Sequence, residues 1–145
     1  MQKYRTSEQR WIFNNSETAW IYEKIVNAAF EANKKMYKFD LHNMREGIQH
    51  TTFYDRYKGH YDCHVANNGK GVLPQRKLSG IILLTDPSEF EGGDLEVNPI
   101  GHAFKIEMTK GKAVFFPSWW LHRVRPVTKG TRKTLVLWLG GGHFR

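Results

Sequence analysis

The chain has 145 residues, enough for one domain with a buried core, and its hydrophobic content of 40% is typical of a globular protein. Lysine and arginine total 22 against 14 aspartate and glutamate residues, a net charge of +8 that favours anionic partners. The basic residues are scattered along the chain, which weakens the case for nucleic acid. The single cysteine, Cys63, excludes an intramolecular disulfide and a cysteine-rich zinc site. With no long apolar run and no signal peptide, the sequence predicts a soluble, cytoplasmic protein without a membrane span.

The first predicted element is a helix within residues 14–39. Ser16 is the predicted N-cap, and Glu17 would add negative charge to the first turn. Apolar residues recur at helical spacing and predict a stripe that packs on the core. The members of this stripe are Trp20, Ile21, Ile25, Ala28 and Ala29.

After the helix the pattern changes to short strands separated by turn residues. The segment "LSGIILLT" is almost continuously apolar, which is typical of a strand buried inside a sheet. "DPSEFEGG" follows it as turn material, with a proline and a glycine pair. Further strands are predicted at 47–57, 60–65, 94–99, 103–108, 112–117, 122–127 and 133–140. One helix followed by many short strands predicts a mostly β sandwich or barrel with helical support.

Three residues stand out as candidates for a functional site. His64 ends a strand-like run at a turn rich in asparagine and glycine, and His122 follows the aromatic segment "FFPSWWL". Arg132 lies at the start of the apolar strand "KTLVLWLG", where an unpaired cation is costly. A bound carboxylate would pair with this arginine through two parallel hydrogen bonds.

Four motifs together resemble a known family, the iron(II)- and 2-oxoglutarate-dependent oxygenases of the prolyl-hydroxylase type. The motifs are "YKGHYDCHV", "RKLSGIILLTDPSEFEGGDLEV", "GKAVFFPSWWLHRVRPVTKGTR" and "LVLWLGG", and the resemblance covers about residues 49–139. It implies a mostly β (α+β) fold, a double-stranded β-helix or cupin-like jelly roll supported by an N-terminal helix. The expected organisation is one domain over 1–145, with helical support over about 1–45 and the jelly-roll core over about 46–141. Family members often carry more structure before this region, so the chain is expected to be a compact or truncated form.

The resemblance also implies roles for individual residues. His64 and His122 would bind iron(II), and Arg132 would hold the far carboxylate of 2-oxoglutarate. Tyr57, or alternatively Tyr54, would donate a hydrogen bond to the same carboxylate. Two further residues are expected beside the cosubstrate: Thr134, which shares a strand face with the arginine, and the apolar Leu83.

The activity implied by the resemblance is oxidation of a substrate C–H bond, with conversion of 2-oxoglutarate to succinate and CO2. Iron(II) and 2-oxoglutarate are the implied cofactors, with chloride and ascorbate as further candidates. The substrate would be a peptide, a protein or a small molecule, and nucleic acid is a weaker candidate.

One position departs from the family pattern His-x-Asp, because the chain has His64, Val65 and Ala66. A methyl group cannot coordinate iron, so the usual triad of two histidines and a carboxylate is incomplete. Four explanations stay open. The vacancy could bind a halide, as in related halogenases, or the alanine could be an introduced substitution. The chain could instead be an inactive pseudoenzyme that binds a peptide or nucleic acid, or Asp62, in a His60-x-Asp62 register, could supply the carboxylate.

Overall fold

The computed structural model describes residues 7–42, 44, 46–55, 57–59, 61–62 and 75–141, with the backbone alone at 61, 62 and 75. These residues contain one long helix, one 3-10 turn and eleven strands. In chain order they are β1 (Ser7–Ile12), α1 (Ala19–Met36), β2 (Ile48–Phe53), β3 (Tyr61–Asp62), β4 (Gln75–Leu83), the 3-10 turn Pro87–Glu89, β5 (Phe90–Gly92), β6 (Leu95–Asn98), β7 (Phe104–Ile106), β8 (Ala113–Pro117), β9 (Leu121–Val124), β10 (Val127–Gly130) and β11 (Arg132–Gly141).

The strands form two main antiparallel sheets. The major sheet has the order β1-β2-β11-β4-β8, and the minor sheet has the order β3-β9-β6-β7. A separate pair, β5 and β10, forms a short ribbon. From β2 onward the chain passes repeatedly between the two main sheets, which is the arrangement of a jelly roll. The predicted mostly β fold with one supporting helix is therefore confirmed.

Strand β11 lies in the middle of the major sheet and is buried on both faces. Its register pairs Thr134 with Thr51 of β2 and with Leu83 of β4. Because side chains alternate along a strand, Leu135, Leu137 and Leu139 face one side of the sheet and the even-numbered residues face the other. The leucines pack in the cluster that includes the helix, so the even-numbered residues face the minor sheet.

Helix α1 covers the outer face of the major sheet. Tyr22, Ile25 and Ala29 join the cluster that contains the β11 leucines, at the spacing of one helical face. The hydroxyl of Tyr22 donates to the Ile12 carbonyl and accepts from the Ile48 amide, so it links the helix to β1 and β2. Apolar burial and two hydrogen bonds together fix the helix on the sheet.

The predicted start of this helix is wrong. The helix begins at Ala19, with Thr18 as its N-cap, and neither Ser16 nor Glu17 lies within it. Asn15 is the cause, because its side-chain oxygen accepts from the amides of Glu17 and Thr18 and forms a separate turn before the helix.

The predicted apolar stripe is correct only in part. Ile25 and Ala29 are buried and Ile21 packs against the core, but Trp20 is 61% exposed and Ala28 is also exposed. The buried face of the helix includes Tyr22 and Asn33. Both side chains carry polar atoms, so a search for apolar residues at helical spacing does not find them. The Asn33 side chain bonds both backbone groups of Phe39 and so orders the chain just after the helix.

A smaller core lies between the two sheets. Ile81 and Phe116 of the major sheet pack against Leu95 and Val97 of the minor sheet.

Strand β1 was not predicted: the segment expected to be helical support contributes an edge strand, with Ser7 to Ile12 paired along β2. No helix in the described part of the chain is long and apolar enough to span a membrane.

Candidate active site

The start of β11 places two polar side chains on the face toward the minor sheet. Arg132 and Thr134 are two residues apart on the strand, so both point to the same side. Each is only 1% exposed. The backbone of the sheet fixes both positions, because Arg132 pairs with Phe53 of β2 and Thr134 with Leu83 of β4.

These two residues carry buried polar atoms that lack a hydrogen-bond partner. Both terminal nitrogens of Arg132 and the hydroxyl oxygen of Thr134 are in this state. Leaving such groups unpaired costs free energy, most of all for a charged group. Burial lowers the pKa of Arg132 to about 10, while Tyr57 and Asp94 act to raise it. The guanidinium therefore stays protonated at neutral pH, and a carboxylate fits its two vacant donors.

The two tyrosine candidates are separated by the structure. Tyr57 is 6% exposed, its ring lies 4.1 Å from that of Phe53, and it lines the same cavity as Arg132. Tyr54 lies elsewhere, and its hydroxyl donates to Glu8 at 3.0 Å. Of the two, Tyr57 is the one near the buried guanidinium.

His122 lies on β9 of the minor sheet and lines the cavity from the opposite side. Its Nδ1 donates to the Trp120 carbonyl at 2.7 Å, and its ring lies 4.9 Å from that of Phe116. A carbonyl oxygen can only accept, so Nδ1 carries a proton, and in the neutral imidazole the lone pair is then on Nε2. This tautomer is the one in which Nε2 can bind a metal ion.

The other predicted metal-site residues, His64 and Ala66, lie outside the described residues. The nearest described backbone is β3, where Asp62 pairs with His122 across the minor sheet. Within the described ranges, no group of three histidine, cysteine, aspartate or glutamate side chains could hold a metal ion.

Arg132, Thr134, Tyr57 and His122 all line one cavity of about 130 Å³. The rest of its wall contains both polar and apolar side chains. The polar wall consists of Ser7, Gln9, Gln49, Thr51, Ser79 and the charged Arg123. The apolar wall consists of Phe53, Ile81, Phe116, Val124, Val136 and Trp138. The cavity thus combines a histidine, the buried guanidinium of Arg132 and no described carboxylate in its lining, an arrangement that can orient a small diacid beside a metal ion.

Leu83 is fully buried but lines a neighbouring cavity of about 230 Å³. Arg132 lines both cavities, and Gly93 and Asp94 line the larger one with it. Leu83 is paired with Thr134 in the sheet, but it is among the residues that line the second cavity and not among those that line the first.

Sequence reasoning did not identify the polar wall or the contact between Gly93 and Arg132. Gln9 lies on the unpredicted strand β1, so nothing marked it as a cavity residue. Gln49 was inside a predicted strand, and alternation with Thr51 was the signal that could have assigned both to one face.

Two antiparallel sheets that enclose a histidine and a buried arginine define a class of protein, the cupin-like double-stranded β-helix with a candidate site for a metal and an oxo acid. A sequence profile described as the 2OG-Fe(II) oxygenase superfamily matches residues 50–140. The chain belongs to the 2OG-Fe(II) oxygenase superfamily.

Several curated relatives are PKHD-type hydroxylases. One from a Synechococcus strain is 39% identical over 82 residues, which cover 57% of this chain and 37% of the relative. Another from Aliarcobacter butzleri is 32% identical over 94 residues, covering 60% of this chain and 42% of the relative. The chain therefore spans about two fifths of the length of these curated relatives.

Solved structures share the fold at low sequence identity. A Pseudomonas putida prolyl-4-hydroxylase has a TM-score of 0.69 at 16% identity, covering 94% of this chain and 73% of its own. A viral collagen prolyl hydroxylase from Paramecium Bursaria Chlorella virus-1, in a 2OG complex, has a TM-score of 0.66 at 23% identity. That match covers 96% of this chain and 82% of the viral chain. Both support the double-stranded β-helix fold.

Proposed function

We propose that this chain is an iron(II)- and 2-oxoglutarate-dependent dioxygenase domain of the hydroxylase type, acting on a C–H bond of a peptide. Family membership supports the cofactors, and the PKHD-type hydroxylase relatives support the reaction. Among the neighbours in fold, one is a prolyl hydroxylase from Trichoplax adhaerens in complex with a peptide fragment, which supports a peptide substrate. The domain is taken to include the whole chain, 1–145.

The observation that carries this proposal is the buried guanidinium of Arg132. Its two terminal nitrogens and the Thr134 hydroxyl have no hydrogen-bond partner among the described atoms, although all are enclosed. The distal carboxylate of 2-oxoglutarate would accept from all three, and Tyr57 would add a fourth donor. Pairing the buried cation would recover much of the cost of its burial.

The proposed iron ligands are His122 and His64. His122 would bind through Nε2, because its Nδ1 proton is held by the Trp120 carbonyl. Bound iron(II) and 2-oxoglutarate would allow dioxygen to oxidise the C–H bond, with one oxygen atom entering the hydroxyl product and the other entering succinate as 2-oxoglutarate loses CO2. Phe116 and Trp138 would limit access of water to the reacting atoms, since both are buried and line the cavity. Ascorbate would act as an accessory reductant.

Because of Ala66, the reaction expected at the metal differs from that of a site with two histidines and a carboxylate. Without the carboxylate, iron would be held by two imidazoles, and the missing ligand would leave room for an anion such as chloride. Halide transfer to the substrate is therefore a second candidate outcome, and binding of a peptide without turnover is a third. Asp62, backbone-paired with His122, is a further candidate carboxylate.

The direct experiment measures succinate formed from 2-oxoglutarate with iron(II) and oxygen, with and without chloride. Succinate in both conditions supports the hydroxylase proposal. Succinate that requires chloride supports halide transfer. Absence of succinate, with 2-oxoglutarate still bound, supports the binding module and contradicts the dioxygenase.

The role of position 66 is tested by Ala66→Asp. The restored carboxylate should raise the affinity for Co(II), used as a spectroscopic substitute for iron, by at least about tenfold. Ala28→Asp, which adds the same charge on the exposed side of the helix, is the matched control and should leave metal affinity unchanged. Equal metal affinity in the wild type and Ala66→Asp would contradict the assignment of His64 as a ligand.

A further inference from the structure

The turn that joins β5 to β6 is held firmly against the connection between β9 and β10. The amide of Gly93 donates to the Pro126 carbonyl at 3.0 Å, and the amide of Arg125 donates to the Asp94 carbonyl at 2.8 Å. Gly93 also has a φ of +69°, a backbone conformation that favours glycine. Its backbone therefore has little freedom to withdraw from its surroundings.

The side chain of Arg132 passes directly over this backbone. A Cβ atom built on Gly93 would lie 2.9 Å from the Arg132 Cδ, and 3.2 Å from Cγ2 of Val127. Cδ bears the guanidinium, so any displacement of Cδ moves the two terminal nitrogens with it. Because Arg132 borders the cavity proposed for the cosubstrate, a displaced side chain would move its guanidinium within that binding space.

Other glycines with positive φ differ in what a Cβ would meet. At Gly59, Gly92 and Gly130 the added atom would meet the backbone carbonyls of Val124, Pro126 and Glu89, so substitution there would disturb the fold itself. At Gly101 and Gly111 it would meet nothing within 4 Å, although φ is +78° and +81°. Of the six glycines with positive φ among the described residues, Gly93 is the one for which a Cβ would lie nearest to the side chain of the candidate cosubstrate arginine.

We propose that Gly93 is a positioning residue for Arg132: the missing side chain lets the arginine stem pack on the turn and sets the guanidinium where it meets a carboxylate. This inference rests on the proposed function, in which Arg132 binds 2-oxoglutarate. In this proposal the glycine pair has a second role besides forming a turn, because Gly93 determines where the Arg132 side chain lies in the cosubstrate pocket.

The test compares Gly93→Ala with Gly101→Ala. The control has the same unfavourable φ for alanine but no contact, so it measures backbone strain alone. Binding of 2-oxoglutarate is measured by anaerobic calorimetry with iron(II), and metal affinity by titration with Co(II). We expect Gly93→Ala to raise the Kd for 2-oxoglutarate about tenfold, the size of one weakened hydrogen bond to a charged group, with Co(II) affinity unchanged. Gly101→Ala should leave both constants unchanged.

Equal 2-oxoglutarate affinity in the two alanine variants would overturn the positioning role, and so would a parallel loss of metal affinity in Gly93→Ala. If Gly93→Ala does not fold by circular dichroism, Gly93→Asn and Gly101→Asn replace the pair, because asparagine tolerates positive φ but still carries a Cβ. Arg132→Met distinguishes a failure of the proposed function from a failure of the positioning role of Gly93. If it binds 2-oxoglutarate as tightly as the wild type, the proposed function fails; if it binds weakly but Gly93 variants bind normally, only the positioning role fails.

Discussion

The two arginines bonded to Glu96 and the buried Arg132 are compensated in different ways. Arg123 and Arg125 share one carboxylate, Glu96, at 2.9 and 2.8 Å, and their side chains are 27% and 51% exposed. Arg132 is 1% exposed, and neither of its terminal nitrogens has a hydrogen-bond partner in the described part of the molecule. The more deeply buried cation is thus the one without a bonded carboxylate.

This contrast distinguishes structural charges from charges that await a ligand. The pair around Glu96 satisfies itself within the fold and contributes to stability through charge-assisted hydrogen bonds. The guanidinium of Arg132 lowers stability as long as it stays unpaired, because desolvation is not offset. A buried unpaired charge that costs stability is expected where it serves binding or catalysis, and the role proposed here for Arg132 is cosubstrate binding.

The largest expected effect is that of Arg132→Met. Methionine keeps the length of the arginine stem without its charge, so the Kd for 2-oxoglutarate should rise about 100-fold. The ligand-free protein should become more stable by about 1 kcal/mol or more, because a buried unpaired charge is removed. Calorimetry gives the first quantity and urea unfolding the second.

Arg125→Met is the matched comparison for this experiment, because Arg125 pairs with Glu96 and does not line the cavity. It removes an arginine that pairs with Glu96 and whose side chain is 51% exposed, so it should lower the free energy of unfolding by up to about 1 kcal/mol and leave 2-oxoglutarate binding unchanged. If both variants lose stability equally, the proposed difference between the two kinds of arginine does not exist.

A smaller effect is expected from Thr134→Val, which replaces a buried unpaired hydroxyl with a methyl group of similar shape. The Kd for 2-oxoglutarate should rise about tenfold, as for loss of a hydrogen bond to a charged group, while ligand-free stability stays equal or increases. Thr128→Val, at an exposed position of β10, is the control for loss of a threonine hydroxyl. An unchanged Kd would remove Thr134 from the carboxylate site.

Much of the arginine end of the cavity could be predicted from local patterns. Alternation along a strand placed Thr134 beside Arg132, and a cation entering an apolar strand marked Arg132 as a residue that needs a partner. The choice between Tyr57 and Tyr54 could not be made in this way. Both tyrosines follow the end of β2. Strand alternation therefore no longer indicates which way their side chains point.

Other features depended on contacts that the sequence does not display. Strand β1 has the sequence SEQRWI, in which polar residues dominate because it is an edge strand with half-exposed side chains. The shift of the helix start came from a side-chain turn at Asn15, which competes with Ser16 as a capping signal. The role inferred for Gly93 depends on a packing contact with a residue 39 positions away along the chain, and a glycine pair alone indicates only a turn.

The smallest expected effect concerns the self-compensated cluster and its dependence on pH. Hydrogen bonds from Arg125 and Arg123 lower the pKa of Glu96 below its ordinary 4.5. The folded state therefore binds the proton less tightly than the unfolded state, so the contribution of Glu96 is complete above pH 4.5 and is lost as the pH falls through the lower folded value. Glu96→Gln should accordingly be less stable than the wild type at pH 7, and the difference should shrink as urea unfolding is repeated at pH 5, 4 and 3. Glu17→Gln, at an exposed position before the helix, should show no such convergence. A Glu96→Gln deficit that is the same at every pH would mean that shape, and not charge, links the two arginines to the minor sheet.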